Sequence, residues 1–119
     1  MLYKFSSDLP ITSLLDGNFN LCVTNEILLE YEEIITQRFN KSVAINTIRT
    51  LLLLPNVKLI TPYFKWQLIK DIDDNKFVDC YVASNSSILV TNDKDFDILS
   101  TIKFPKIKIV DIENFISLL

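Results

Sequence analysis

Short apolar runs alternate with helical stretches along this chain, and that order restricts the fold more than any other feature of the sequence. The runs lie at 19–23, 57–60, 87–91 and 107–110. Each is too short for a helix and rich in aliphatic or β-branched side chains, as strands buried on both faces are. Helices are expected between them. Residues 9–16 suit a short one, with Pro10 at its first position and Gly17 just past its end. Thr24 or Asn25 caps a longer one to Arg38, with Ile27, Leu28, Tyr31, Ile34 and Ile35 on one stripe. Ser42 caps another over 43–54, stopped by Pro55. Asp74 or Asn75 opens one to about residue 84, and shorter ones are expected over 96–102 and 112–119. Strands separated by helices pair in parallel and carry helices on both faces. The 119 residues contain no linker, repeat or low-complexity tract, so 1–119 is expected to be a single domain.

What the chain lacks excludes several kinds of chemistry. It has one Gly, so no glycine-rich phosphate loop can form. It has no His, which removes Ser-His-Asp and Cys-His catalysis. Two Cys and no His cannot build a zinc finger. Cys22 and Cys80 stand inside apolar runs and are expected to be buried thiols, as in a reducing cytosol. No apolar run reaches the length of a membrane span, so no membrane association and a cytoplasmic location are expected. The net charge is −3, which advertises no broad basic surface for nucleic acid. Fifteen acids remain as the chemical resource.

In parallel sheets, function gathers at the carboxyl ends of the strands. Three acidic positions meet that condition. Glu30 lies early in the helix after the first run. Asp73 and Asp74 open the helix before the third, and Asp93 and Asp95 lie at that strand's carboxyl end. The helix from Asp74 runs back against the strand ending near Thr91, so Asp74 and Asp93 are expected to be neighbours. Gathered carboxylates repel one another unless a cation holds them, and hard oxygen ligands select Mg²⁺ or Mn²⁺. Each acid also has an ordinary reading. Asp73 and Asp74 suit helix capping, Asp93 a turn, and Glu30 a solvated face beside Glu32 and Glu33. Asp79 reads as a solvated helix residue, Thr91 as a strand-end hydroxyl, and Tyr63 and Trp66 as packing residues rather than a base-stacking platform.

The segments Thr24-Asn-Glu-Ile-Leu-Leu-Glu-Tyr31, Asp71-Ile-Asp-Asp-Asn-Lys-Phe-Val-Asp-Cys80 and Ile88-Leu-Val-Thr-Asn-Asp-Lys-Asp-Phe96 resemble successive motifs of the PIN-domain family. The resemblance is nearest to toxins of toxin–antitoxin systems, relatives of the VapC-type ribonucleases. It implies a Rossmann-like three-layer α/β/α fold and an endoribonuclease that cleaves RNA phosphodiesters with Mg²⁺ or Mn²⁺. It implies that Glu30, Asp74 and Asp93 are catalytic metal ligands, with Asp73 as the register alternative to Asp74. Thr91 and Asn92 would contact substrate. The implied partners are an RNA substrate, a cognate antitoxin protein and a second copy of the chain as a homodimer.

The family's opening strand ends in Asp-Thr-Asn, whose Asp is the first metal ligand, and this chain has no such motif. The N-terminal residues 1–7 are therefore expected to start just after it, leaving a sheet of about four strands without its first, central strand. Asp8 and Asp16 are the only earlier acids. Tyr81 also stands where relatives carry small residues, and is expected to overpack the core. Without the first Asp, a catalytically inactive PIN-like binding module or truncated remnant is the alternative function. A phospho-acceptor receiver domain is disfavoured, because its paired acids would follow the first strand rather than open a helix.

Overall fold

Leu21, Val23, Leu89 and Val90 are wholly enclosed, and the strands that carry them face no water on either side. The structure is a computed structural model and describes residues 2–3 and 10–119. Among the described residues the chain order is β1 (Leu2–Tyr3), α1 (Ile11–Leu15), β2 (Leu21–Val23), α2 (Asn25–Arg38), α3 (Lys41–Leu53) and β3 (Val57–Leu59). Then come a 3₁₀ turn (Ile72–Asp74), α4 (Asn75–Ala83), β4 (Leu89–Val90), a 3₁₀ segment (Lys94–Thr101), β5 (Ile109–Val110) and α5 (Ile112–Leu118). The strands form one parallel sheet in the order β3-β2-β1-β4-β5.

This order corrects the expectation that the central strand is missing. β1 lies between β2 and β4, with Leu2 opposite both Cys22 and Leu89, and Tyr3 opposite Val90. Without it, β2 and β4 would face each other across a gap of unpaired backbone inside the core. The sheet therefore has five strands, not about four. A two-residue strand followed by Lys4 offers no alternation or length by which sequence reading could find it.

The helices form for local reasons. Gly17, at φ +77°, ends α1: its N–H donates to the Leu14 carbonyl at 3.1 Å, and the Asn18 N–H donates to Ser13 at 2.9 Å. That paired closure needs a left-handed residue, which glycine supplies without a Cβ clash. Pro10 precedes the helix rather than opening it. α2 buries Ile27, Leu28, Tyr31 and Ile35. Asn40, not Ser42, caps α3: its side chain accepts the Val43 N–H at 2.9 Å. Phe77 and Val78 on α4 and Phe96 on the 3₁₀ segment complete the core, and the Phe77 and Phe96 rings meet edge to face at 6.3 Å. Burying each such side chain contributes roughly 1.5–3 kcal/mol.

Cys22 and Cys80 are free and buried, as expected. Burial, with a smaller contribution from neighbouring Cys22, pushes the Cys80 thiol up to about 12, so it stays protonated and unreactive. Tyr81 is buried as well, but it does not simply overpack the core. Its hydroxyl donates to the Ser87 carbonyl at 3.2 Å and accepts the Lys108 N–H at 3.2 Å. The ring thus joins the approach to β4 to the approach to β5.

Candidate functional site

The polar groups begin where the strands end. After β2, the Thr24 hydroxyl accepts the Ile27 N–H at 3.1 Å and caps α2. After β4, the buried Thr91 hydroxyl accepts the Asp93 N–H at 3.0 Å, and the Asp93 carboxylate accepts the Asp95 N–H at 2.9 Å. Asp93 thereby caps the 3₁₀ segment and fixes the direction in which Asp95 leaves it. The Asn92 side chain turns to α5 and accepts the Ile112 N–H at 2.9 Å. Asp111 caps α5 through the Asn114 N–H at 2.7 Å.

A second acidic turn arrives from α4. Asp71 accepts the Asp73 N–H at 3.0 Å and caps the 3₁₀ turn that leads into the helix. Asn75 clamps the preceding loop, accepting the Ile69 N–H and donating to the Ile69 carbonyl, both at 2.9 Å. Asp74 occupies the capping position of α4 yet makes no side-chain cap. The capping role foreseen for Asp73 and Asp74 falls to Asp71, and Asp74 is buried at 6% exposure.

The two turns bring Asp71, Asp74 and Asp95 together, each with a carboxylate oxygen within 4.8 Å of the other two. Asp74 is buried, while Asp71 and Asp95 open to solvent. The donor set fits a hard divalent cation. Octahedral Mg²⁺ holds its oxygens at about 2.1 Å, which sets them roughly 3–4 Å apart, a spacing that carboxylates within 4.8 Å of one another approach. Glu30 is tied to α4 by an ion pair. Its Oε1 pairs with the Lys76 ammonium at 3.0 Å, and its Oε2 is buried without a hydrogen-bond partner. Lys76 lies two residues beyond Asp74, so Glu30 reaches the first turn of α4.

The sequence profile of the PIN-domain family matches residues 4–95. The chain belongs to the PIN-domain family. Among solved structures, a chain in the crystal structure of VapBC2 from Rickettsia felis bound to a DNA fragment from their promoter is similar in fold. The TM-score is 0.58 at 15% identity, covering 93% of this chain and 98% of that one. No curated protein matches the sequence.

Within this PIN domain the motif residues fall into different surroundings. Asp74 stands in the three-carboxylate cluster; Glu30, Asp73 and Asp93 stand outside it. Asp73 is exposed and contributes its N–H to Asp71. Asp93 lines a cleft of about 550 Å³ with Thr91, Asn92, Asp97 and Asp111. Sequence reading placed Asp95 with Asp93 at the strand end, where a turn or cap was its ordinary reading, and did not single out Asp71. The available signal was the Asp-x-Asp pattern shared by 71–73 and 93–95, in which the first carboxylate caps the N–H two residues on. The PIN profile begins at Lys4, immediately after β1. The sequence there reads Lys4-Phe5-Ser6-Ser7-Asp8, so the strand is present without the family's Asp-Thr-Asn. Asp8 lies outside the described residues.

Asp79 overturns its reading as a solvated residue. It is 8% exposed, accepts the Trp66 N–H at 2.9 Å, and faces a cavity of about 210 Å³ shared with Thr24, Lys65 and Lys76. Burial raises its pKa above the usual carboxylate value. The Trp66 N–H and Lys65 oppose the shift, and Glu26 adds to it.

Proposed function

We propose that this chain is a metal-dependent endoribonuclease and the toxin of a toxin–antitoxin pair, with an antitoxin protein as its partner. The observation that carries the reading is the convergence of Asp71, Asp74 and Asp95 at the carboxyl edge of a PIN-domain sheet. The Rickettsia felis neighbour, an assembly of VapBC2 with promoter DNA, supports a toxin–antitoxin context. In this proposal Asp71, Asp74 and Asp95 hold Mg²⁺ or Mn²⁺, with Glu30 Oε2 as a further donor. Such an ion supplies an activated water and neutralises charge on the scissile phosphate. The chain's own residues do the positioning. Buried Asp74 is the rigid ligand. Thr91 orients Asp93, and Asp93 in turn holds the Asp95 backbone, so the turn after β4 carries Asp95 into place. Among the described residues no helix is long and apolar enough to cross a membrane, and a cytoplasmic site of action belongs to the proposal.

The test is cleavage of single-stranded RNA by the purified chain in Mn²⁺, in Mg²⁺ and in a chelator. Metal-dependent cleavage is expected, with Asp74→Asn lowering it at least a hundredfold. Absence of metal-dependent cleavage would overturn the reading. The sequence after β1 and the engagement of Glu30 by Lys76 favour a second reading, an inactive PIN-like binding module. That reading requires metal to have no effect on either cleavage or stability.

A further inference from the structure

Two loops meet through their aromatic rings on a surface the acidic cluster does not use. Phe64 packs edge to face on Trp66 with centroids 4.7 Å apart, and Trp66 packs on Phe104 at 5.7 Å. The rings are unusually open for such a cluster: Phe64 is 63% exposed, Phe104 80%, and adjoining Tyr63 96%. The two segments, 63–70 and 103–108, hold Lys65, Lys70, Lys103, Lys106 and Lys108. They thus carry five of the twelve basic residues of an acidic chain and none of its fifteen acids. Lys65, Lys103 and Lys106 are exposed, and among the described residues none of the three closes an ion pair. Gln67 holds a left-handed φ of 52° directly after Trp66, so the loop has a defined shape.

We propose that this surface binds single-stranded RNA, its rings stacking on bases and its lysines meeting phosphates. Exposed Lys65, Lys103 and Lys106 argue for a polyanion, with Asp79 and Glu26 beside Lys65 marking the inner edge of the surface, and open ring faces argue for unpaired bases, because a duplex keeps its bases stacked on each other. The proposal rests on the nuclease reading for its choice of RNA. The structure also couples the platform to the acidic cluster. The Trp66 N–H is held by Asp79, which lies five residues beyond Asp74, about 7.5 Å along the axis of α4. A strand stacked on Trp66 therefore starts within a short reach of the carboxylates.

The test measures binding of a labelled single-stranded RNA by fluorescence anisotropy in a chelator, so that no cleavage can occur. Phe64→Ala and Phe104→Ala are each expected to weaken binding about tenfold. Lys103→Glu with Lys106→Glu is expected to weaken it further and to flatten the salt dependence by about 0.7 in log–log slope for each phosphate no longer neutralised. Leu53→Ala, at an 84% exposed position on α3, should change nothing. Melting curves check that each variant is folded. Unchanged affinity in both sets, or no binding by the wild type, overturns the proposal. So does a sedimenting dimer that the same substitutions dissociate without any effect on RNA, which would assign the rings to a second copy. Cleavage assays separate the two readings. Cleavage with unaltered binding refutes the platform alone, and altered binding without cleavage refutes the nuclease alone.

Discussion

Asp79 places a carboxyl where the fold offers little water. Its carboxyl is raised above the usual range chiefly by burial, so the folded state holds the proton more tightly than the unfolded chain does. The stability it contributes is present below the unfolded pKa and is lost as pH rises through the folded one. Asp79→Asn still accepts the Trp66 N–H but cannot ionise. It should therefore melt higher than wild type at neutral pH, with the gap closing as pH falls through the carboxylate range. A gap that stays constant with pH would contradict the burial argument. Tyr81 makes a second prediction at this scale. Tyr81→Phe keeps the ring but strands the Ser87 carbonyl and the Lys108 N–H, and should cost about 1–2 kcal/mol in chemical denaturation. Neither role was legible in the sequence. Asp79 follows Asn75 and Lys76 on α4, and the loop that supplies the Trp66 N–H to it lies 13 residues back in the chain. Tyr81 looked too large for its place because the partners of its hydroxyl include a backbone N–H 27 residues on.

At the scale of elements, helix starts show how local signals compete. The stretch Phe39-Asn-Lys-Ser42 offers two capping residues, and sequence alone does not separate them. The backbone does: Asn40 is extended, at φ −165°, and its side chain reaches the Val43 N–H. Asn40→Ala should cost about 1 kcal/mol, whereas Ser42→Ala should stay within about 0.5 kcal/mol, both read from denaturant midpoints. Equal costs would mean that the cap is shared. Other elements were readable because their causes are local. Thr24 caps α2, the apolar stripe of α2 faces the core, and Gly17 closes α1. β1 was not readable, because two residues become a strand only when β2 and β4 supply their hydrogen-bond partners.

For the whole molecule, the acidic cluster is where the chain's parts depend on one another. It joins a turn before α4 to a turn after β4, and the parallel sheet sets the distance between them. Mn²⁺ or Mg²⁺ should raise the melting temperature, since a ligand of the native state stabilises it by about 2.7 kcal/mol at a hundredfold excess over Kd. Asp74→Asn should abolish the shift. Asp95→Asn should reduce it more than Asp93→Asn does, because Asp95 is in the cluster and Asp93 only orients it. Calorimetric melts with and without metal decide this, and a larger loss with Asp93→Asn would make Asp93 the ligand that its motif implies. The sequence by itself determined the parallel α/β architecture and the PIN-domain motifs, because hydrophobic periodicity and short motifs act over a few residues. Only the tertiary structure decided that the central strand is present and that Asp71 and Asp95 come within 4.8 Å of Asp74. It alone brought the aromatic loops into contact. Such pairings depend on which distant turns the sheet carries to one edge, and no local pattern encodes that distance.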